Sequence, residues 1–204
     1  MKSIPIEPES LHQVSVDGES DRLQPVVLGE FHVGKPKIHA LDTSLHHRPY
    51  FIFEPVETSE ALSHAAAEST VIISAANTIE GRVRTARKAI HYKKPLVDAA
   101  ILDGRDALGG HILIRRPETG DWSACPACLY SDPRRVKGSE GLLYPLVASI
   151  AAIAATLTIQ LITSTNSAFL QRENFVAVDL QRFRVTTLAI EKKPSCRICG
   201  PSRQ

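Results

Sequence analysis

Residues 70–99 read TVIISAANTIEGRVRTARKAIHYKKPLVDA, and this stretch decides the fold. Thr70–Ser74 (TVIIS) is a short apolar run of the kind buried on both faces of a sheet. A helix is expected from about Thr78 to Tyr92, and Pro95–Ala99 (PLVDA) forms the next strand. Strand, helix, strand at these lengths predicts a right-handed βαβ unit with parallel pairing. Upstream, Gly34–His47 reads as a helix with Ile38, Leu41 and Leu45 on one stripe. Tyr50–Phe53 (YFIF) reads as a strand and Ser59–Glu68 as an Ala-rich helix. The first 25 residues are polar and weakly patterned, an irregular arm with one short strand at Gln13–Val16, and Pro25–Leu28 is extended. Downstream come a strand at His111–Arg115 (HILIR), a long apolar helix, and strands near Phe175–Leu180 and Val185–Ile190. Gly109-Gly110 fits a β-turn in a loop. The expected class is α/β with a largely parallel sheet. The domain division is 1–25 as arm and 26–204 as one domain.

A chain of 204 residues can bury one sizeable core. Its 43% hydrophobic and 23% charged residues are ordinary for a globular protein. A net charge of +2 gives no field that implies nucleic acid or an acidic membrane, and Arg115-Arg116 and Arg134-Arg135 are isolated doublets without interleaved aromatics. Residues 1–18 lack a basic-then-apolar leader, so a cytoplasmic location is expected. Leu142–Thr163 (LLYPLVASIAAIAATLTIQLIT) is long enough to cross a bilayer. Its Pro145, Ser149, Thr156, Thr158, Gln160 and Thr163 and its missing aromatic flanks favour a helix buried inside a protein, with no membrane contact.

The four cysteines form two C-x-x-C knuckles, Cys125-Pro-Ala-Cys128 and Cys196-Arg-Ile-Cys199, with 67 residues between them. Zinc takes four thiolates in a tetrahedron, and each knuckle can present two. A redox C-x-x-C needs one knuckle only, and disulfides suit a secreted chain. Consumption of every cysteine in paired knuckles favours one structural Zn²⁺ held by Cys125, Cys128, Cys196 and Cys199. Four thiolates leave no open position for catalysis. Trp122, beside the first knuckle, is expected to pack over the site.

Several segments, in order, resemble the ThiF/MoeB family, relatives of ubiquitin-activating enzymes. Val33-Gly34-Lys35-Pro36-Lys37 resembles its V-G-x-x-K segment. Val71–Thr78, with Arg82 four residues later, resembles its apolar strand ending in D-x-T-D-N-x-x-x-R. Lys94-Pro95-Leu96-Val97 is similar to its next strand, and both knuckles and the Gly141–Val147 segment are similar to its C-terminal half. The resemblance spans about Val33 to Gly200. It implies a Rossmann-like fold with helices on both faces of the sheet and a zinc-bearing C-terminal portion with a long buried helix. It also implies ATP- and Mg²⁺-dependent adenylylation of the C-terminal glycine of a ubiquitin-like or sulfur-carrier protein, by a protein that dimerises.

That chemistry rests on positioning and charge neutralisation around a phosphate-binding glycine loop. The sequence contains no G-x-G-G-x-G. By family position the nucleotide-site residues are Lys37 and Asn77, the latter standing where the family has its metal aspartate. Asparagine keeps an oxygen ligand and loses the charge, so weaker Mg²⁺ binding is expected. Lys137 stands where some members carry a catalytic cysteine, so no residue is assigned a catalytic role. Each residue also has a purely structural reading. Lys37 suits a solvated helix face, and Asn77 with Glu80 suits an N-cap and capping box. Arg82 suits an internal ion pair, Asp98 and Asp103 suit loop acids, and the histidines show no ligand spacing. The function expected is a degenerate or half-site subunit of a carrier-activation pathway, a homo- or heterodimer with a ThiF/MoeB-like protein. The alternative is a non-catalytic zinc-stabilised module that binds a ubiquitin-like protein tail.

Overall fold

The computed structural model describes residues 59–104, 107–117, 124–130, 144–163 and 168–200. All of them belong to one compact unit, Thr58–Gln204. The arm boundary at residue 25, the 34–47 helix, the 50–53 strand, Lys37, Trp122 and Lys137 lie outside the described residues.

The elements, in order, are α1 (Ser59–Glu68), β1 (Ile72–Ser74), α2 (Ile79–His91), β2 (Leu96–Gly104), β3 (Ala107–Arg115), α3 (Pro126–Leu129), α4 (Tyr144–Ile162), α5 (Ala168–Arg172), β4 (Phe175–Asp179) and β5 (Arg184–Leu188). Helix α1 has the bounds read from its Ala-rich sequence. Helix α2 starts one residue later than expected because Thr78, not Asn77, is its N-cap: the Thr78 hydroxyl accepts from Gly81 N at 3.1 Å. Glu80 then sits at the second helical position, one short of a capping box.

Five strands form one sheet in the order β1-β2-β3-β4-β5. The α/β class holds, and β1 pairs with β2 in parallel through the crossover helix α2. The other three described pairings are antiparallel, which corrects the expectation of a largely parallel sheet in this region. Strand β2 ends at Gly104 and β3 begins at Ala107, and a two-residue link permits only an antiparallel hairpin. Gly109-Gly110 belong to its second strand. These glycines are not a turn but the buried middle of a nine-residue strand, where Gly110 pairs with Ile101 and Val178. A Cβ on Gly110 would lie 2.6 Å from the Ala100 carbonyl oxygen and 2.7 Å from Ile150 Cδ1. Glycine is what lets β2, β3 and helix α4 approach so closely.

Alternation along β2 and β3 divides the core in two. Val97, Ile112 and Ile114, with Val176 and Val178, face Leu146, Ile150, Ala154 and Leu157 of α4. Leu96 and Leu113 face the opposite way, onto Ala86 and Ala89 of α2 and onto the cysteines. Helices therefore cover both faces, as the resemblance implies. Two expectations change. Ile73 is 55% exposed, so β1 is not buried on both sides. Helix α4 is buried along one stripe rather than all round, since 28% of Pro145–Ile162 lies inside and Ile159 and Ile162 are exposed. By length and composition this helix could cross a membrane, a test that core helices of soluble proteins also pass.

Candidate metal centre

The first knuckle is built at a helix start. Cys125 is the N-cap of α3, Pro126 fills the first helical position, and Cys128 N donates to Cys125 O at 2.8 Å. Proline suits that position because its missing N–H would have no intrahelical partner. The second knuckle is a turn in which Gly200 N donates to Cys196 O and Cys196 N to Lys193 O, both at 2.9 Å. A side chain at residue 200 would collide with the Cys196 carbonyl. The tail is aimed by Asn174, whose side chain accepts from Ile190 N at 2.7 Å and donates to Ile190 O at 2.9 Å. That pair of hydrogen bonds ties the segment after β5 to the residue that precedes β4.

The two knuckles meet. All four Sγ atoms lie within 4.8 Å of one another. Cys125 Sγ is 3.7 Å from Cys196 Sγ, and Cys128 Sγ is 3.3 Å from Cys199 Sγ. Zn–S bonds of about 2.3 Å in a tetrahedron space the sulfurs about 3.8 Å apart, so the set fits zinc with little adjustment. Cys125, Cys128 and Cys199 are buried and Cys196 is half-buried, and none forms a disulfide. Four thiols this close cannot all ionise alone. Hydrogen bonding to Cys125 holds Cys199 down at about 5, while that same bond, followed by burial, pushes Cys125 far up. Burial pushes Cys128 up to about 11. A divalent cation would remove this conflict by stabilising all four thiolates. The cysteines could therefore hold a metal ion such as zinc, closed to further ligands.

Beside the knuckles lies a buried polar group that sequence reasoning missed in part. Arg82 Nη1 donates to Asp98 Oδ1 at 2.9 Å and to Ala99 O at 2.7 Å. The ion pair expected for Arg82 is present, but Asp98 is no loop acid: it is a fully buried residue of β2. Desolvation raises the Asp98 pKa, opposed by Arg82 and by Ser74 across the parallel pairing. The Ser74 hydroxyl makes no hydrogen bond of good geometry, however, and Asp98 Oδ2 has no partner either. His111, on the same side of the sheet, stacks on Phe175 at 5.1 Å and meets Tyr130 Oη at 2.9 Å through Nε2. Burial, then the Arg82 charge, lowers His111 to about 4. Burial raises Tyr130 to about 12, so the phenol stays protonated and can donate to a neutral ring. The available signal was parity: Leu96 and Asp98 share a strand face, and Tyr130 follows the knuckle by two residues.

Of the two nucleotide-site candidates, Asn77 is exposed in the turn before α2. Asp103 belongs to β2.

The sequence model of the ThiF family matches residues 25–198. The chain belongs to the ThiF family. No curated protein sequence matches this ThiF-family chain. Among solved structures, E. coli MccB with ATP superposes with a TM-score of 0.61 at 16% identity, covering 85% of this chain and 53% of MccB. The microcin C7 biosynthetic enzyme MccB in complex with N-formylated MccA gives 0.62 at 16% identity over 85% and 54%. PaaA gives 0.54 at 21% identity over 79% and 57%. At these identities the likeness is one of fold. The ThiF-family chain spans about half the length of these structures.

Proposed function

We propose that this ThiF-family chain is a zinc-clamped subunit of a carrier-activation system, working with a second ThiF/MoeB-like chain that supplies the glycine-rich phosphate loop. The reaction it serves is adenylylation of the C-terminal glycine of a ubiquitin-like or sulfur-carrier protein in the cytoplasm. The observation that carries the reading is the joined cysteine pairs inside a family-matched domain: they fix the C-terminal segment beside helix α2, which bears Arg82 and follows the turn that holds Asn77. Lys37 and Asn77 contribute to the nucleotide site as uncharged or singly charged contacts. Asn77 replaces a carboxylate with an amide, and a unit charge pair at about 4 Å is worth roughly 4 kcal/mol at an effective dielectric of 20. The chain alone therefore binds Mg²⁺–ATP poorly. Cys125, Cys128, Cys196 and Cys199 are the Zn²⁺ ligands, and the metal closes the fold without touching substrate.

ATP–pyrophosphate exchange tests the assignment. The isolated chain is expected to show none, and mixing with a loop-bearing ThiF/MoeB-like partner should raise the exchange above that of the partner alone. Full exchange by the isolated chain, or no effect on any partner combined with ATP-independent binding of a carrier tail, refutes the half-site role; the second result identifies a tail-binding module instead. Metal analysis on the same sample should find one zinc per chain, lost in the Cys128→Ser variant. Metal-free protein with four freely labelled thiols would remove the zinc assignment.

A further inference from the structure

Helix α2 and the turn after it concentrate positive charge. Arg84, Arg87, Lys88 and His91 recur at intervals of three and four residues and so share one helical face, and Lys93 and Lys94 extend it past the C-terminus. Arg84, Arg87, His91 and Lys93 are exposed. Lys88 is bound to Ser63 Oγ of α1, but Arg84, Arg87, Lys93 and Lys94 have no ion-pair partner among the described residues. The only acid in α2 is Glu80, in its first turn.

Two features separate this face from an ordinary solvated helix. Basic residues in a last turn are favoured by the helix dipole, which accounts for Lys88 and His91. It does not account for Arg84 and Arg87 in mid-helix, where like charges three and four residues apart oppose each other. The second feature is the backbone of Lys93, which has φ 52. Residues just past a helix end adopt this left-handed conformation most easily as glycine. A lysine is held there at a conformational cost, and it adds a cation to the same surface. With a net charge of only +2 on the whole chain, this density is local.

We infer that the α2 face from Arg84 to Lys94 is a docking surface for an acidic segment of a partner protein. Its charge, its guanidinium groups without an ion-pair partner among the described residues and its packing on β2 and α1 fit carboxylates presented along a partner's surface. An oligonucleotide is the poorer fit, because Tyr92 is half-buried and turned edge-on to His91 at 4.7 Å, leaving the small His91 ring as the patch's one exposed aromatic face for bases. The inference is independent of any nucleotide chemistry.

The test uses the full chain and a short fluorescein-labelled polyglutamate peptide, read by anisotropy at low and at high salt. Wild type should bind at low salt, and the exposed double reversal R84E/R87E should weaken binding by about tenfold or more. The control reversal R172E/R184E changes net charge equally on exposed sites elsewhere and should stay within about twofold of wild type. Circular dichroism confirms that both variants fold. No binding by wild type overturns the inference, as does an equal loss in both reversals. Tighter binding of a single-stranded oligonucleotide of the same charge also overturns it. So does a large gain in affinity on neutralising Glu7, Glu9, Asp17, Glu19 and Asp21 together, which would make the chain's own N-terminal acids the occupant.

Discussion

Acidification should destabilise this protein through His111. The ring is 5% exposed, lies against Phe175 and Tyr130, and titrates at about 4 instead of its ordinary 6.5. The unfolded chain therefore takes up a proton below about 6.5 that the folded chain refuses until about 4. Between those values the unfolded state binds more protons, so stability falls as pH falls. One pKa unit corresponds to about 1.4 kcal/mol, and integrating from pH 7.5 to pH 5 gives a loss of about 2 kcal/mol from this group. Other groups titrate in the same interval. The raised Asp98 pKa acts in the opposite sense, favouring the folded state as it protonates, and any metal held by the thiolates would be released in acid. The difference between wild type and His111→Gln removes both contributions. Urea unfolding of each protein at several pH values, followed by tryptophan fluorescence and circular dichroism, gives that difference. His111→Gln keeps a hydrogen-bonding group for Tyr130 and cannot gain a proton. The stability advantage of wild type should shrink by about 2 kcal/mol from pH 7.5 to pH 5. A difference that stays flat across the interval refutes the buried neutral histidine.

Asp98→Asn should destabilise the fold by about 3 kcal/mol or more in chemical denaturation, because it leaves the buried Arg82 guanidinium without its counter-charge. The paired variant Arg82→Met/Asp98→Leu should recover most of that loss, and additive losses would show that the two groups are not coupled. Gly110→Ala should cost about 1–3 kcal/mol and slacken the packing of α4 on β3, measurable as a lower urea midpoint; an unchanged midpoint would contradict the close approach of Ile150 and the Ala100 carbonyl.

Much of the architecture was legible in local pattern. The bounds of α1, the span of α2 and the positions of β4 and β5 follow from periodicity and composition, which act over a few residues and need no distant partner. The cysteine pairs were legible too, because thiolate spacing within a knuckle is a local matter. The strand that contains Gly109-Gly110 was not. Two adjacent glycines carry a turn signal locally, and only the press of Ile150, Ala100 and Val178 around them makes a continuous strand the lower-energy choice. Likewise an aspartate in PLVDA reads as polar and exposed until a guanidinium sixteen residues away is brought onto the same face.

The sequence by itself determined the strand–helix–strand order from β1 to β2, the bounds of α1, the approximate span of α2 and the pairing of four cysteines in two knuckles, since propensity and motif spacing are written in neighbouring residues. Tertiary structure alone decided that the knuckles close on one another, that Asp98 and His111 are buried, and that three of the four described strand pairings are antiparallel. Those outcomes depend on contacts between residues far apart in the chain, whose desolvation and packing energies exist only once the sheet has formed.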